Sequence, residues 1–264
     1  MGRSAGLENG RGGRRAFLAA GLLTTMPGHA TPEGEVHLIV CVPDVLTAQE
    51  LVAIRAELQS APYVDGSATA GWSARTVKKN QQIDTGSANY ARIADIVRAA
   101  FQRNALLQAA LLPAANTQPL FNRYAGGMEY GAHVDAPVMG SLGNAIRTDI
   151  AITVFLSDPR SYDGGELVTH ANGGMEYAFK LDAGAAIAYP ANTLHHVNPV
   201  TRGVRDAAII WVQSMVRDSA RRELLWDLES AKRDIFGREG KSPTFDAVSR
   251  SHANLLRMWA EVTG

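Results

Sequence analysis

Residues 147–157 read RTDIAITVFLS, and residues 206–216 read DAAIIWVQSMV. Both runs are short and dense in β-branched and aromatic side chains, which makes each a strand rather than a helix. Outward from them, PLFNRYAG (119–126), GELVTHA (165–171), MEYAFKLD (175–182), AAIAYPA (185–191) and LHHVNPV (194–200) have the same texture. Gly, Pro, Asp and Asn clusters separate these runs at roughly even spacing. Short strands in this rhythm predict an antiparallel sandwich or barrel over residues 117–216.

The flanks read differently. VHLIVCVPDVL (36–46) is a strand stopped by Pro43. The next segment, 47–61, opens on Thr47 as an N-cap with Glu50 three residues on, a capping box followed by apolar residues at helical spacing. DGSATAGWS (65–73) is a loop, and residues 89–113 give one or two amphipathic helices ended by Pro113. Residues 217–236 and 245–262 are charged and helical, with Leu224, Leu225, Leu228, Leu255, Leu256 and Trp259 expected on the buried faces. The chain thus divides into a leader (1–35), an N-terminal helical support region (36–116), the β-region (117–216) and a C-terminal helical extension (217–264).

Composition narrows the function. Lys and Arg number 26, as do Asp and Glu, so the formal charge is zero, which argues against a general nucleic-acid binder. The single cysteine, Cys41, excludes an intramolecular disulfide framework and any CxxC zinc cluster. A metal site in this chain must therefore use His and carboxylates. No apolar run reaches the roughly 18 residues of a membrane-spanning helix. The leader carries basic residues, then a short apolar run. RRAFLAAGLL (14–23) resembles a twin-arginine export signal with GHA (28–30) as its cleavage site. The alternatives are a disordered leader, or upstream sequence wrongly joined to a chain that starts near Val36. The expected location is cytoplasmic, or periplasmic if the leader is an export signal.

The chemistry centres on YGAHVDAP (130–137). His133 and Asp135, two apart on an extended segment, point to one face and can hold one ion. A third ligand must come from elsewhere, and LHH offers His195 and His196. These face opposite ways on a strand, so one points inward, and spacing does not choose between them. Arg202 and Arg205 compete in the same way just downstream. A buried arginine needs an anionic partner, and its planar fork suits a carboxylate. Two His and one carboxylate on one face of an ion form the facial triad of non-haem Fe(II) oxygenases, although such a set also accepts zinc. Tyr124 and Tyr130 either pack or reach a bound ligand. Arg147 and Asp149 pair near the site or line the sheet. Asn80, Gln81 and Gln82 meet substrate or cap a loop, Gly164 and Gly165 serve a turn, and Trp211 and Phe155 read as core.

RYAGGMEYGAHVDAP (123–137), RTDIAITVFLSDPRSYDGGELV (147–168), YPANTLHHVNPVTRGVR (189–205) and WVQSMVRD (211–218) are similar to the bacterial PKHD-type hydroxylases, Fe(II)/2-oxoglutarate dioxygenases related to prolyl 4-hydroxylases. VKKNQQIDT (77–85) and HANLLRMWAEV (252–262) match as well, so the resemblance covers 36–264. It implies an α+β fold: a double-stranded β-helix (jelly roll) with N-terminal helices packed on the sheet and a C-terminal helical extension. It implies His133, Asp135 and His195 as iron ligands, and Arg205 as partner of the far carboxylate of 2-oxoglutarate, with Tyr124 a further candidate. His196 falls on the variable position after the ligand. Tyr130, Arg147 and Asp149 remain candidates for supporting the site. The implied reaction couples decarboxylation of 2-oxoglutarate to succinate with hydroxylation of an unactivated C–H bond. It uses one Fe(II) per subunit, O₂, and L-ascorbate as reductant, on a peptidyl proline or a small molecule. No nucleic-acid or membrane partner is expected, and the C-terminal helices offer a homodimer face. Two readings from other classes stand beside it. One is a cupin-like sensor that holds metal and cosubstrate without turnover. The other is a zinc hydrolase, which gives Arg205 no task.

Overall fold

The computed structural model describes residues 15–18, 25–26, 38–141 and 143–262. Its main strands are β1 (Ile39–Val42), β2 (Lys78–Lys79), β3 (Gln81–Ile83), β4 (Pro113–Asn116), β5 (Leu120–Tyr124), β6 (Glu129–His133), β7 (Ile150–Phe155), β8 (Leu167–His170), β9 (Glu176–Phe179), β10 (Ala186–Pro190), β11 (His195–Val197) and β12 (Arg205–Ser214). The helices are α1 (Ala48–Ser60), α2 (Ala88–Arg103), α3 (Ala105–Leu111), α4 (Ser219–Glu239) and α5 (Pro243–Trp259).

Two antiparallel sheets face each other. The larger runs β1-β10-β7-β12-β5-β3 and ends on Tyr63–Asp65, with β4 also paired to β12; the smaller runs β9-β8-β11-β6-β2. Period-two alternation gives the larger sheet two apolar faces. Ile39, Cys41, Ala151, Phe155, Ile187 and Tyr189 point between the sheets and meet Leu167, Phe179 and Val197 of the smaller one. Val40, Val42, Ile150, Ile152, Val154 and Ile210 point the other way, against Ile54 of α1, Val97 of α2 and Leu107 of α3. Ile152 is fully buried in this second layer, and cutting it to alanine would cost about 2–5 kcal/mol. This is the α+β jelly roll expected from the sequence, with helices on the outer face of the larger sheet.

The helix ends follow local chemistry. Glu50 N–H donates to the Thr47 hydroxyl at 3.3 Å, and Thr47 N–H donates to the Glu50 carboxylate at 2.8 Å, completing the capping box. The segment 89–113 splits into two helices at Asn104, whose side chain accepts from Leu106 and Leu107 N–H and so starts α3. At the other end of α3, Leu112 turns left-handed (φ 47°) immediately before Pro113. In the C-terminal extension, Leu225 and Trp226 are buried, whereas Leu224 is 53% exposed and does not belong to the buried face. The correction is one of helical phase. Arg222, Leu225, Trp226 and Glu229 share the inward stripe, and Leu224 sits about 100°, more than a quarter of a turn, outside it. Leu255, Leu256 and Trp259 pack half-buried against Leu112, Val216 and Leu225.

The leader lies outside the described residues except for two short stretches. The Arg15–Leu18 backbone pairs in parallel with β9, and Thr25–Met26 pairs antiparallel with β1. Among the described residues, no helix is long and apolar enough to cross a membrane.

Candidate metal centre

Strand pairing builds the site. β6 and β11 are neighbours in the smaller sheet, in a register that sets His195 directly opposite His133. Opposite residues share a face, so both imidazoles point between the sheets, with ring centroids 4.2 Å apart. Asp135 follows His133 by two and returns to the same side. Its Oδ1 lies 3.8 Å from His133 Nε2 and 3.9 Å from His195 Nε2. One ligand atom from each residue falls within 4.8 Å of the others.

Neighbouring groups fix the donor atoms. His133 Nδ1 is 2.9 Å from the Gly131 carbonyl and His195 Nδ1 is 2.9 Å from the Thr193 carbonyl. A carbonyl only accepts, so each Nδ1 carries the proton and each Nε2 presents its lone pair. Trp211, on β12 in the opposite sheet, donates its indole N–H to Asp135 Oδ2 at 2.8 Å. Tyr130 stacks on the His133 ring with centroids 3.6 Å apart. Burial, with His195 close by, pushes His133 down to about 3, so its imidazole is neutral at ordinary pH. Burial also raises the Asp135 carboxyl above its usual range. Two imidazoles that turn Nε2 to one point and a carboxylate whose ionised form calls for a cation are the donor set of a divalent metal site.

His196 faces away. Its Nδ1 meets His170 Nε2 at 2.9 Å and its Nε2 meets the Asn198 side-chain oxygen at 3.1 Å. The two arginines separate as cleanly. Arg202 is exposed and pairs with Asp163 at 2.6 Å. Arg205 is 1% exposed, lines the cavity, and none of its three guanidinium nitrogens has a hydrogen-bond partner among the described residues. Its guanidinium lies 5.2 Å from the Tyr124 ring centroid and 5.5 Å from that of Phe155. A buried charge without a partner is costly, and a planar fork of donors calls for a carboxylate. The cavity that joins this arginine to the triad has a volume of about 370 Å³.

Residues 119–213, which contain all four of these residues, match the family model described as "2OG-Fe(II) oxygenase superfamily". A PKHD-type hydroxylase of Synechococcus sp. (strain JA-2-3B'a(2-13)) is 48% identical over 225 residues, which is 85% of this chain and 100% of the relative. The chain belongs to the PKHD-type hydroxylases. Another member, from Acaryochloris marina, is 46% identical over 85% of this chain and its own whole length. Among solved structures, a Pseudomonas putida prolyl-4-hydroxylase aligns with a TM-score of 0.44 and 20% identity, covering 67% of this chain and 92% of that one. This hydroxylase is therefore an Fe(II)- and 2-oxoglutarate-dependent oxidoreductase.

Not every candidate lies at the hydroxylase site. Arg147 and Asp149 do pair, at 2.7 Å, but neither lines the cavity. Asp149 accepts from Ser214 N–H and Arg147 donates to the Ser214 carbonyl, so the pair ties down the end of β12. Asn80 and Gln82 are buried and both donate to the Asn122 side-chain oxygen, at 3.0 and 2.7 Å. Their amide N–H groups are spent on Asn122 rather than offered to substrate. Gly164 and Gly165 have φ of 72° and 68°, as the turn requires. Two residues escaped the sequence reading. By sequence Trp211 reads as core, yet Arg205, Ala207, Ile209 and Trp211 alternate onto one face of β12, and that face leads to the metal centre. Lys78 lines the cavity from a two-residue strand, too short for any periodic signal.

Proposed function

We propose that His133, Asp135 and His195 hold one Fe(II) and that Arg205, floored by the Tyr124 ring, takes the far carboxylate of 2-oxoglutarate. The observation that carries this is the Arg205 guanidinium, buried in the same cavity as the triad with all three nitrogens unpaired. A zinc hydrolase would leave that charge without a use. When bound, iron would couple the decarboxylation of 2-oxoglutarate by O₂, giving succinate and CO₂, to conversion of a substrate C–H into C–OH, one oxygen atom of O₂ going to each product. The chain's own work is positional. The Gly131 and Thr193 carbonyls aim the two imidazoles, Trp211 fixes the carboxylate, and Tyr130 and Tyr189 shield the rings from water. L-ascorbate as reductant rests on the family resemblance, as does the choice between a peptidyl proline and a small molecule as substrate. The same reading includes a homodimer through the C-terminal helices and no nucleic-acid partner, in keeping with zero net charge. It places the protein in the cytoplasm, or in the periplasm if residues 1–35 direct export.

The test is anaerobic. Fe(II) and 2-oxoglutarate are added to the apoprotein and the weak visible metal-to-ligand charge-transfer band is recorded. Arg205→Ala and His195→Ala should lose the band and His196→Ala should keep it. Metal binding without a band in the intact protein would overturn the reading.

A further inference from the structure

The cavity contains two buried cations, and 2-oxoglutarate accounts for one. Lys78, on β2 at the edge of the smaller sheet, is 8% exposed and lines the same cavity as His133 and Asp135. Its single hydrogen bond among the described residues is to the Thr69 hydroxyl, at 3.0 Å, and the Tyr130 ring centroid lies 5.0 Å away. Neither neighbour is charged. Asp135 and Asp65 act on the ammonium only at longer range. An ammonium has three donors, so two are left over, and a buried cation in this condition is stabilised by an anion brought to it.

The ammonium is held rather than loose. Thr69 Oγ1 lies 2.9 Å from Gln82 Oε1, and the Gln82 amide donates to Asn122 on β5. This chain of contacts fastens the loop before β2 to the larger sheet and fixes where the Lys78 head sits. Arg205 starts β12, across from Tyr124, whereas Lys78 pairs in register with Tyr130. With one end of 2-oxoglutarate at the metal and the other on Arg205, the cosubstrate has no carboxylate left for Lys78.

We infer that Lys78 is a specificity residue for the substrate, and that the substrate carries a carboxylate which docks on this ammonium beside the metal centre. The inference rests on the assignment of Arg205 to 2-oxoglutarate. Trp72, 87% exposed, and Val134 border the same cavity, so the body behind the carboxylate is apolar or aromatic.

The experiment uses the full chain loaded anaerobically with Fe(II) and saturating 2-oxoglutarate. Calorimetry compares 3-phenylpropionate with 3-phenylpropanamide, which differ in charge and hardly in shape. The expected result is at least tenfold tighter binding of the acid. That preference should be lost in Lys78→Met and partly restored in Lys78→Arg, with the charge-transfer band of 2-oxoglutarate intact in both. Lys78→Gln replaces the methionine variant if that does not fold. Three results would overturn the inference: equal binding of acid and amide, including no binding of either; a preference that survives Lys78→Met; or loss of the band in Lys78→Met, which would assign the lysine to the cosubstrate. Absence of the band in the intact protein is a different failure, that of the Arg205 assignment, and takes this inference with it.

Discussion

Trp211 reaches across the jelly roll to Asp135: its indole N–H, from the larger sheet, donates to Oδ2 at 2.8 Å while Oδ1 faces the two histidines. The hydrogen bond decides which oxygen is turned to the metal position. A hydrogen bond to a charged group contributes about 1.5–3 kcal/mol, and losing such an outer contact typically costs 10–100-fold in metal affinity. Trp211→Phe keeps the ring and removes the donor. It should bind Fe(II) about 10–100-fold more weakly with its far-UV spectrum unchanged, measured by anaerobic metal titration. Unchanged affinity would reduce Trp211 to a packing residue.

Arg205 sets binding against stability. Without an anion its guanidinium is buried and unpaired, a charge with a penalty of several kcal/mol. Arg205→Met fills similar space without the charge. Thermal unfolding of the protein free of cosubstrate should therefore shift upward by a few degrees in the variant. Excess 2-oxoglutarate should raise the melting temperature of the metal-loaded wild type and leave that of the variant unmoved. A variant that melts lower than wild type without cosubstrate would mean that the guanidinium is compensated by the protein itself.

Most of the fold could be read from alternation, because the larger sheet is apolar on both faces and its strands are long enough to show two interleaved sets, such as Ile150, Ile152 and Val154 against Ala151 and Phe155. The site was legible only up to a choice. Spacing allows either His195 or His196, and what selects His195 is the β6–β11 register, a long-range pairing that no local pattern encodes. Trp211 shows the converse. An inward aromatic looks like core until a carboxylate from another strand arrives at its N–H. Arg147 and Asp149 did find each other, but their further partner, Ser214, lies on a strand end whose position depends on the whole sheet.

Acid should act on the helical layer through Glu50. Arg103 lies 2.5 Å from its carboxylate and, with the Thr47 contacts, holds its pKa down to about 2 from an ordinary 4.5. A carboxyl depressed in the folded state contributes stability that is complete above about 4.5 and is lost as pH falls through about 2. The Arg103 side chain is substantially exposed, so screening keeps the contribution under about 1 kcal/mol. Glu50→Gln retains an acceptor for the capping box and removes the charge. Urea midpoints between pH 6 and 2 should fall less steeply in the variant, the two curves converging at the acid end. Parallel curves would show that the Glu50–Arg103 pair has no linkage to folding.

Gly165 governs the room available to Arg205. It sits at φ 68°, where a side chain is strained, and a Cβ there would meet Arg205 Cδ at 3.0 Å, Val200 Cγ2 at 2.9 Å and Tyr162 Cε2 at 3.1 Å. The last two belong to the packed interior and have little freedom to retreat. Arg205 must then move at its stem, and a fork of donors displaced by even a fraction of an ångström no longer matches a carboxylate bound at the metal. Gly165→Ala should lose about 1–3 kcal/mol of stability from backbone strain and weaken 2-oxoglutarate binding, while Fe(II) affinity, set by residues on β6, just after it and on β11, stays within a factor of about three. Gly173, which has a similar φ of 78° and open space where a Cβ would stand, supplies the control. Gly173→Ala carries the strain alone and should leave cosubstrate binding unchanged. Equal loss of 2-oxoglutarate affinity in both variants would show that strain, not the Arg205 contact, is the cause.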